Sequence, residues 1–161
     1  MSDELTRDQA GDAFRRAYQA QMAGQLERAA ALYRESIQLL PTAEAHTFLG
    51  WTYSFLGRID EAIAECRRAI EVDPSFGNPY NDIGAYLIEL GKYDEAEPWF
   101  RKAMKAARYE PRHYPHFNLA RVYINRCDYD RAIDELEQAI EIAPDYVQAK
   151  RELVKVRAKS N

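Results

Sequence analysis

Five side chains have the chemistry for metal ligation or nucleophilic attack: His46, His113, His116, Cys66 and Cys127. His113 and His116 stand three apart, a spacing that brings two imidazoles to one face of a helix. A metal site needs further ligands in a recognisable spacing, and the chain offers none beside that pair. There is no glycine-rich phosphate loop and no nucleophile with a base beside it. No catalytic residue, metal or cofactor is therefore expected. The histidines read as packing residues, Cys66 as a small buried core residue, and Cys127 as an exposed thiol in a turn.

The elements that position these residues are clearest between Ala43 and Pro74. His46, Leu49, Gly50 and Tyr53 recur at i, i+3, i+4 and i+7, one face of a helix. Ala62, Cys66 and Ala69 mark one face of a second helix, which Pro74 ends. Gly57 lies between them. Small Gly50 and Ala62 let the two backbones approach, with Tyr53 filling the space beside them. The unit then recurs. Its turn residues, Gly24, Gly57, Gly91 and Cys127, are 33, 34 and 36 residues apart. Its closing prolines, Pro41, Pro74, Pro111 and Pro144, are 33, 37 and 33 apart. Turn to proline is 17 residues in three units and 20 in the third.

This spacing predicts helices over about 9–22, 25–39, 43–56, 59–71, 77–90, 93–108, 113–126, 129–142 and 145–159. Asp60, Asp94 and Asp130 fall near helix starts, where a carboxylate accepts free N–H groups and suits the dipole. The surplus after Phe100 is predicted to lengthen the sixth helix and its exit loop, stiffened by Pro111 and Pro115.

The repeated pattern resembles the tetratricopeptide repeat family. The second unit supplies His46, Leu49, Gly50, Tyr53, Gly57, Ala62, Cys66, Ala69 and Pro74. The third supplies Tyr80, Ile83, Gly84, Leu87, Gly91, Ala96, Phe100 and Ala103. The fourth supplies His116, Leu119, Ala120, Tyr123, Ala132, Leu136, Ala139 and Pro144. In the first, Ala17, Gly24, Ala29, Tyr33 and Pro41 fit, but Arg16 stands where leucine is expected. That unit is either shifted in register or a solvent-facing cap. The resemblance implies an all-α solenoid, a right-handed superhelix of antiparallel helix pairs with about nine helices. The expected organisation is a disordered tail at 1–8, four repeats over 9–144 (about 9–41, 42–75, 76–111 and 112–144), and a C-terminal capping helix at 145–161. The cap would bury Tyr146, Ala149, Leu153 and Val156 and present Lys150, Arg151, Lys155, Arg157 and Lys159 to solvent. The long third unit also resembles the longer repeat of some bacterial members linked to pilus biogenesis. The lysine–asparagine clamp of chaperone-tail binders is not matched, because Phe14, Tyr18, Phe48, Asn78 and Asp82 hold those positions.

The resemblance further implies that the leading helix of each unit lines a concave face. The free stripe there carries Phe14, Arg15, Tyr18 and Met22, then Thr47, Phe48, Trp51 and Phe55. It continues with Asn78, Asn81, Asp82, Ala85 and Glu89, then Tyr114, Phe117, Asn118, Arg121 and Asn125. From it we select Phe48, Trp51, Phe55, Asn81, Asp82, Phe117, Asn118 and Arg121 as the peptide-binding groove. Aromatic anchors give contact area at low entropic cost. An amide presents a paired donor and acceptor to a peptide backbone, and a guanidinium forks onto a carboxylate. Trp51 and Phe55 fit either the groove or packing against a neighbour. Asn81 and Asn118 fit either ligand contact or a solvated, turn-supporting role. Phe14, Tyr18 and Met22 are expected to pack.

A formal net charge of −4 over 161 residues argues against a dedicated nucleic-acid binder. The basic stretch 101–126 and the acidic helix after it read as solvated faces with local pairing. No apolar run approaches the roughly 18 residues of a membrane span, and the opening MSDELTRDQAGDAF lacks a signal-like apolar core. Two distant cysteines fit reduced thiols in the cytosol. The expectation is a non-catalytic, cytoplasmic protein–protein interaction module that binds a peptide or partner segment in its groove. The alternative is a self-assembling structural or assembly-factor subunit, which stacks repeat ends or exchanges its terminal helix.

Overall fold

The computed structural model describes residues 2–161. Among them nine helices follow one another: α1 (Asp3–Met22), α2 (Leu26–Leu39), α3 (Ala43–Phe55), α4 (Ile59–Val72), α5 (Asn78–Glu89), α6 (Tyr93–Lys105), α7 (His113–Asn125), α8 (Tyr129–Ile142) and α9 (Val147–Ser160). They form four hairpins, α1–α2, α3–α4, α5–α6 and α7–α8, each packed on the next, with α9 lying on α8.

Each hairpin turns through one residue in the left-handed region. Gly24, Gly57 and Gly91 have φ of 77°, 77° and 76°, and Cys127 has φ of 58°. A Cβ is crowded in that conformation, so three turns use glycine and the fourth strains a cysteine. At every turn the next N–H closes the helix end by reaching back five residues. Gln25, Arg58, Lys92 and Asp128 donate to the carbonyls of Ala20, Tyr53, Leu87 and Tyr123 at 2.8–2.9 Å.

Inside each hairpin a small residue on the leading helix sits opposite a bulkier one on its partner. The pairs are Ala17 with Tyr33, Gly50 with Cys66, Gly84 with Phe100, and Ala120 with Leu136, all buried. The two glycines are needed for close approach. A Cβ on Gly84 would lie 2.4 Å from the Phe100 ring, and one on Gly50 would lie 2.9 Å from the Ala62 carbonyl oxygen. The buried side chains form one core through the first three hairpins, a second beneath α7, α8 and α9, and a small third one of Ala103, Ala106 and Tyr109. Cys66 belongs to the first core, and burial pushes its thiol well above the ordinary range.

Polar links vary from hairpin to hairpin at equivalent positions. His46 Nδ1 and Glu65 Oε2 meet at 2.7 Å across the second hairpin, and His116 Nδ1 and Glu135 Oε2 meet at the same distance across the fourth. An ionised carboxylate only accepts, so Nδ1 carries the proton in both. The third hairpin replaces the pair with Tyr80 and Trp99, their rings 6.2 Å apart. The first has Ala13 and Leu32, both buried. Between hairpins, Arg34 donates to the Tyr53 hydroxyl at 3.0 Å and Arg101 to the Tyr123 hydroxyl at 2.6 Å. Leu87 holds the corresponding place in the third hairpin and has no hydroxyl. There Arg67 stacks on Trp99 instead, 5.1 Å from the ring centre.

Several sequence expectations need correction. Helix α1 begins at Asp3, so residues 3–8 are helical and not a disordered tail; Met1 lies outside the described residues. The Ser2 hydroxyl caps the helix by accepting from Leu5 N, and Asp3 and Glu4 fill the first turn. The register of α1 is not shifted: Ala17 is buried where the other units place glycine or alanine, and Arg16 is exposed. Asp60, Asp94 and Asp130 lie in first turns, but the carboxylate that accepts a helix-start N–H there is Asp128, from Arg131.

The surplus of the third unit does not extend α6, which stops at Lys105. It forms the loop 106–112, which pairs with the α4–α5 connection. Arg108 N donates to Ser75 O, and Gly77 N donates to Arg108 O, both at 2.9 Å. Tyr109 is buried against Gly77, where a Cβ would lie 2.6 Å from its side chain. The Arg108 guanidinium reaches Glu44 and Asp73, each at 2.7 Å. The Ser75 hydroxyl and then Arg108 hold the Asp73 carboxyl down at about 2. Arg112 covers the end of α6 by donating to the Ala106 carbonyl at 3.0 Å. Burial of Tyr109 and this pairing outweigh another helical turn.

Two predictions follow from the packing. Gly84→Ala lowers the unfolding free energy in a urea titration by about 1–3 kcal/mol through overpacking. Adding Phe100→Leu, which recreates the Ala120–Leu136 pair, recovers part of that loss. The second concerns Glu65. Burial raises its carboxyl, but His46 and Arg68 outweigh burial and bring it below its ordinary 4.5. Its contribution is therefore fully present above the ordinary 4.5 and lost as pH falls from there through the lowered native value. His46→Ala alone costs about 1–3 kcal/mol, since Glu65 keeps Arg68 but loses a buried partner, whereas His46→Ala with Glu65→Leu, the pair of the first hairpin, returns to within about 1 kcal/mol of wild type. Thermal melts across pH show a flatter acid loss for the double variant than for wild type.

Candidate functional site

The leading helices α1, α3, α5 and α7 line one face of the stack. A concavity of about 620 Å³ opens there, lined by Tyr18, Thr47, Phe48, Trp51, Asn78, Asp82, Pro111 and Tyr114. Helical periodicity puts these side chains on one side of each helix, and the stacking of hairpins brings the four stripes together.

The N-terminal wall is a run of edge-to-face rings. Phe14 lies 5.4 Å from Tyr33 and 5.2 Å from Phe48. Tyr18 lies 6.0 Å from Phe48, Phe48 lies 5.9 Å from Trp51, and Trp51 lies 5.2 Å from Phe55. Phe14 packs into the core, whereas Tyr18, Met22 and Phe55 are exposed at 43%, 54% and 59%. Tyr18 and Met22 thus depart from the expectation that they pack.

The floor is polar. Asp82 keeps a partial opening to solvent at the base of the concavity and is otherwise ringed by protein atoms. Burial raises its carboxyl to about 7, although the Asn81 amide pulls it back part of the way. Asn118 Nδ2 donates to Asn81 Oδ1 at 3.0 Å, and Arg121 Nη1 donates to Asn118 Oδ1 at 3.2 Å. Both asparagines are buried, so part of their hydrogen-bonding capacity goes to each other. Asn78 donates to the Glu110 carbonyl at 3.4 Å and leaves its buried Oδ1 without a partner. The C-terminal wall is again aromatic. Tyr146 lies 5.3 Å from Phe117 and 5.6 Å from Tyr114, and His113 lies 4.7 Å from Tyr146.

Of the eight residues selected from the sequence, Phe48, Trp51 and Asp82 line the concavity, whereas Asn81, Asn118 and Arg121 form a chain of hydrogen bonds outside its lining. Phe55 lies at the rim beside Trp51, and Phe117 packs into the second core. Tyr18, Thr47, Asn78 and Tyr114 belong to the predicted stripe but not to the selection. Pro111 belongs to neither. The three extra residues before it carry this proline out of the hairpin's closing position and onto the groove lip. His113 and His116 point to separate partners, the aromatic wall and Glu135.

Two family models, each described as tetratricopeptide repeat, match residues 43–76 and 76–145. Among curated proteins, the protein O-mannosyl-transferase Tmtc1 of Drosophila melanogaster is 35% identical over 101 residues, 58% of this chain and 12% of that protein. The chain spans 12 to 21% of the length of the first curated relatives it matches. Among solved structures, PilF of Pseudomonas aeruginosa superposes with a TM-score of 0.87 at 22% identity, covering 96% of this chain and 70% of that one. YrrB, described as a TPR protein with an unusual peptide-binding site, gives 0.67 at 21% identity, covering 92% and 76%. Contiguous repeat matches from residue 43 to 145 and a shared architecture along nearly the whole length place this chain in the tetratricopeptide repeat family, whose repeats are protein-interaction modules.

Proposed function

We propose that this chain is a non-catalytic interaction module that holds a peptide or partner segment in its concave groove. The observation that carries the reading is the composition of the groove. The rings of Tyr18, Phe48, Trp51 and Tyr114, the Asn78 amide and the Asp82 carboxyl, drawn from four hairpins, converge on one concavity of about 620 Å³. Flat aromatic side chains supply burial, and the polar floor supplies register. A peptide-binding site named for a protein of the same fold supports the same use. In this reading α1–α8 are the four repeats, with boundaries near residues 41, 75, 111 and 144, and α9 caps the stack. A cytoplasmic setting fits the two unpaired thiols, Cys66 and Cys127.

The test is a random-sequence peptide array probed with wild type, Trp51→Ala and Gln138→Ala. Gln138 is exposed on the outer helix α8. Peptides that wild type retains lose about tenfold or more in affinity for Trp51→Ala and are unchanged for Gln138→Ala. Amide shifts on peptide titration that are confined to α2, α4, α6 and α8 overturn the reading.

A further inference from the structure

We propose that the concavity selects a basic side chain, lysine or arginine, with its charged head at Asp82 and its aliphatic stem among Tyr18, Phe48, Trp51 and Tyr114. The inference rests on the groove reading and adds the chemistry of what the groove selects.

Three observations carry it. Asp82 lies on the floor of the same concavity that these four rings line. Among the described residues no cation forms an ion pair with it, although eight arginines in the chain have carboxylate partners. The ionisable groups that feel its charge are the Cys66 thiol on α4, the Tyr86 phenol on its own helix, and the Tyr109 phenol on the loop 106–112. None is a cation. The basic residues nearest the groove are engaged elsewhere: Arg108 with Glu44 and Asp73, Arg112 with carbonyls at the end of α6, and Arg121 with Asn118.

A carboxylate hemmed in by protein and left without a counter-charge is costly, and burial raises it to about 7. An incoming ammonium or guanidinium supplies the missing charge and returns the carboxyl to its ionised form. Ring faces attract the same cation, most strongly those of tryptophan and tyrosine. The long methylene stem of lysine or arginine covers apolar surface on the way in. An acidic or purely apolar anchor gains the rings but leaves Asp82 desolvated without compensation, so the site discriminates against it.

The probe is a random heptapeptide display library selected on the full chain, followed by synthetic copies of the tightest binders. Wild type enriches one position for lysine or arginine. Replacing that residue with uncharged norleucine or citrulline weakens binding by about tenfold. On Asp82→Asn the same replacement costs at most about threefold, because the carboxylate's share is gone and only the ring faces still attract the cation. Selected peptides with no basic position, or an equal effect of the charge replacement on wild type and Asp82→Asn, overturn the inference. If Asp82→Asn does not fold, the norleucine series on wild type decides alone. Loss of every selected peptide on Trp51→Ala, whatever their charge, upholds the groove reading independently; binding untouched by Trp51→Ala overturns the groove reading and this inference with it.

Discussion

Close approach of paired helices at a small residue sets the geometry of this protein. At Gly50 and Gly84 the leading helix comes so near its partner that one added methyl group would overlap a ring or a carbonyl. The distance between paired helices follows from that contact, and so does the orientation in which one hairpin meets the next. A single hairpin leaves an apolar face open to water, and only a neighbour at the right spacing covers it. The trough exists because the same spacing is repeated four times. Its wall residues face inward because the helices that carry them are fixed from behind, and their rings then pack edge to face along the wall.

Around that constant the polar chemistry changes from one hairpin to the next. An imidazole–carboxylate pair, a tyrosine beside a tryptophan, and an alanine with a leucine occupy one structural position in different copies. The three pairs differ in both bulk and charge, yet each joins the two helices of its own hairpin. This tolerance is what a quasi-one-dimensional architecture allows, since a substitution is felt by its own hairpin and the adjoining one and little further.

Turns and pairings could be read from sequence because they rest on local rules. A residue with positive φ at a fixed interval, and a small residue four or five places from an aromatic, announce a helical hairpin without tertiary knowledge. The start of α1 was also written in the chain, in Ser2 followed by Asp3 and Glu4, but low apolarity masked it. What could not be read was the path of residues 106–112. Their course depends on Tyr109 finding the one bare backbone position at Gly77, a contact between segments 32 residues apart. The groove was legible as a stripe and not as a cavity. Periodicity identifies which residues share a face, whereas Pro111 joins that face only through the loop, and Phe117 is taken up in packing against Tyr146 and the second core.

The strap that Arg108 and Tyr109 make across the α4–α5 connection bears on how this coil moves. Helical stacks of this kind flex like springs, because neighbouring coils share narrow seams and nothing spans them. Here one guanidinium ties the beginning of α3 to the junction between the third and fourth hairpins. Twisting or opening at mid-length must break those ties, so compliance is displaced toward the two ends.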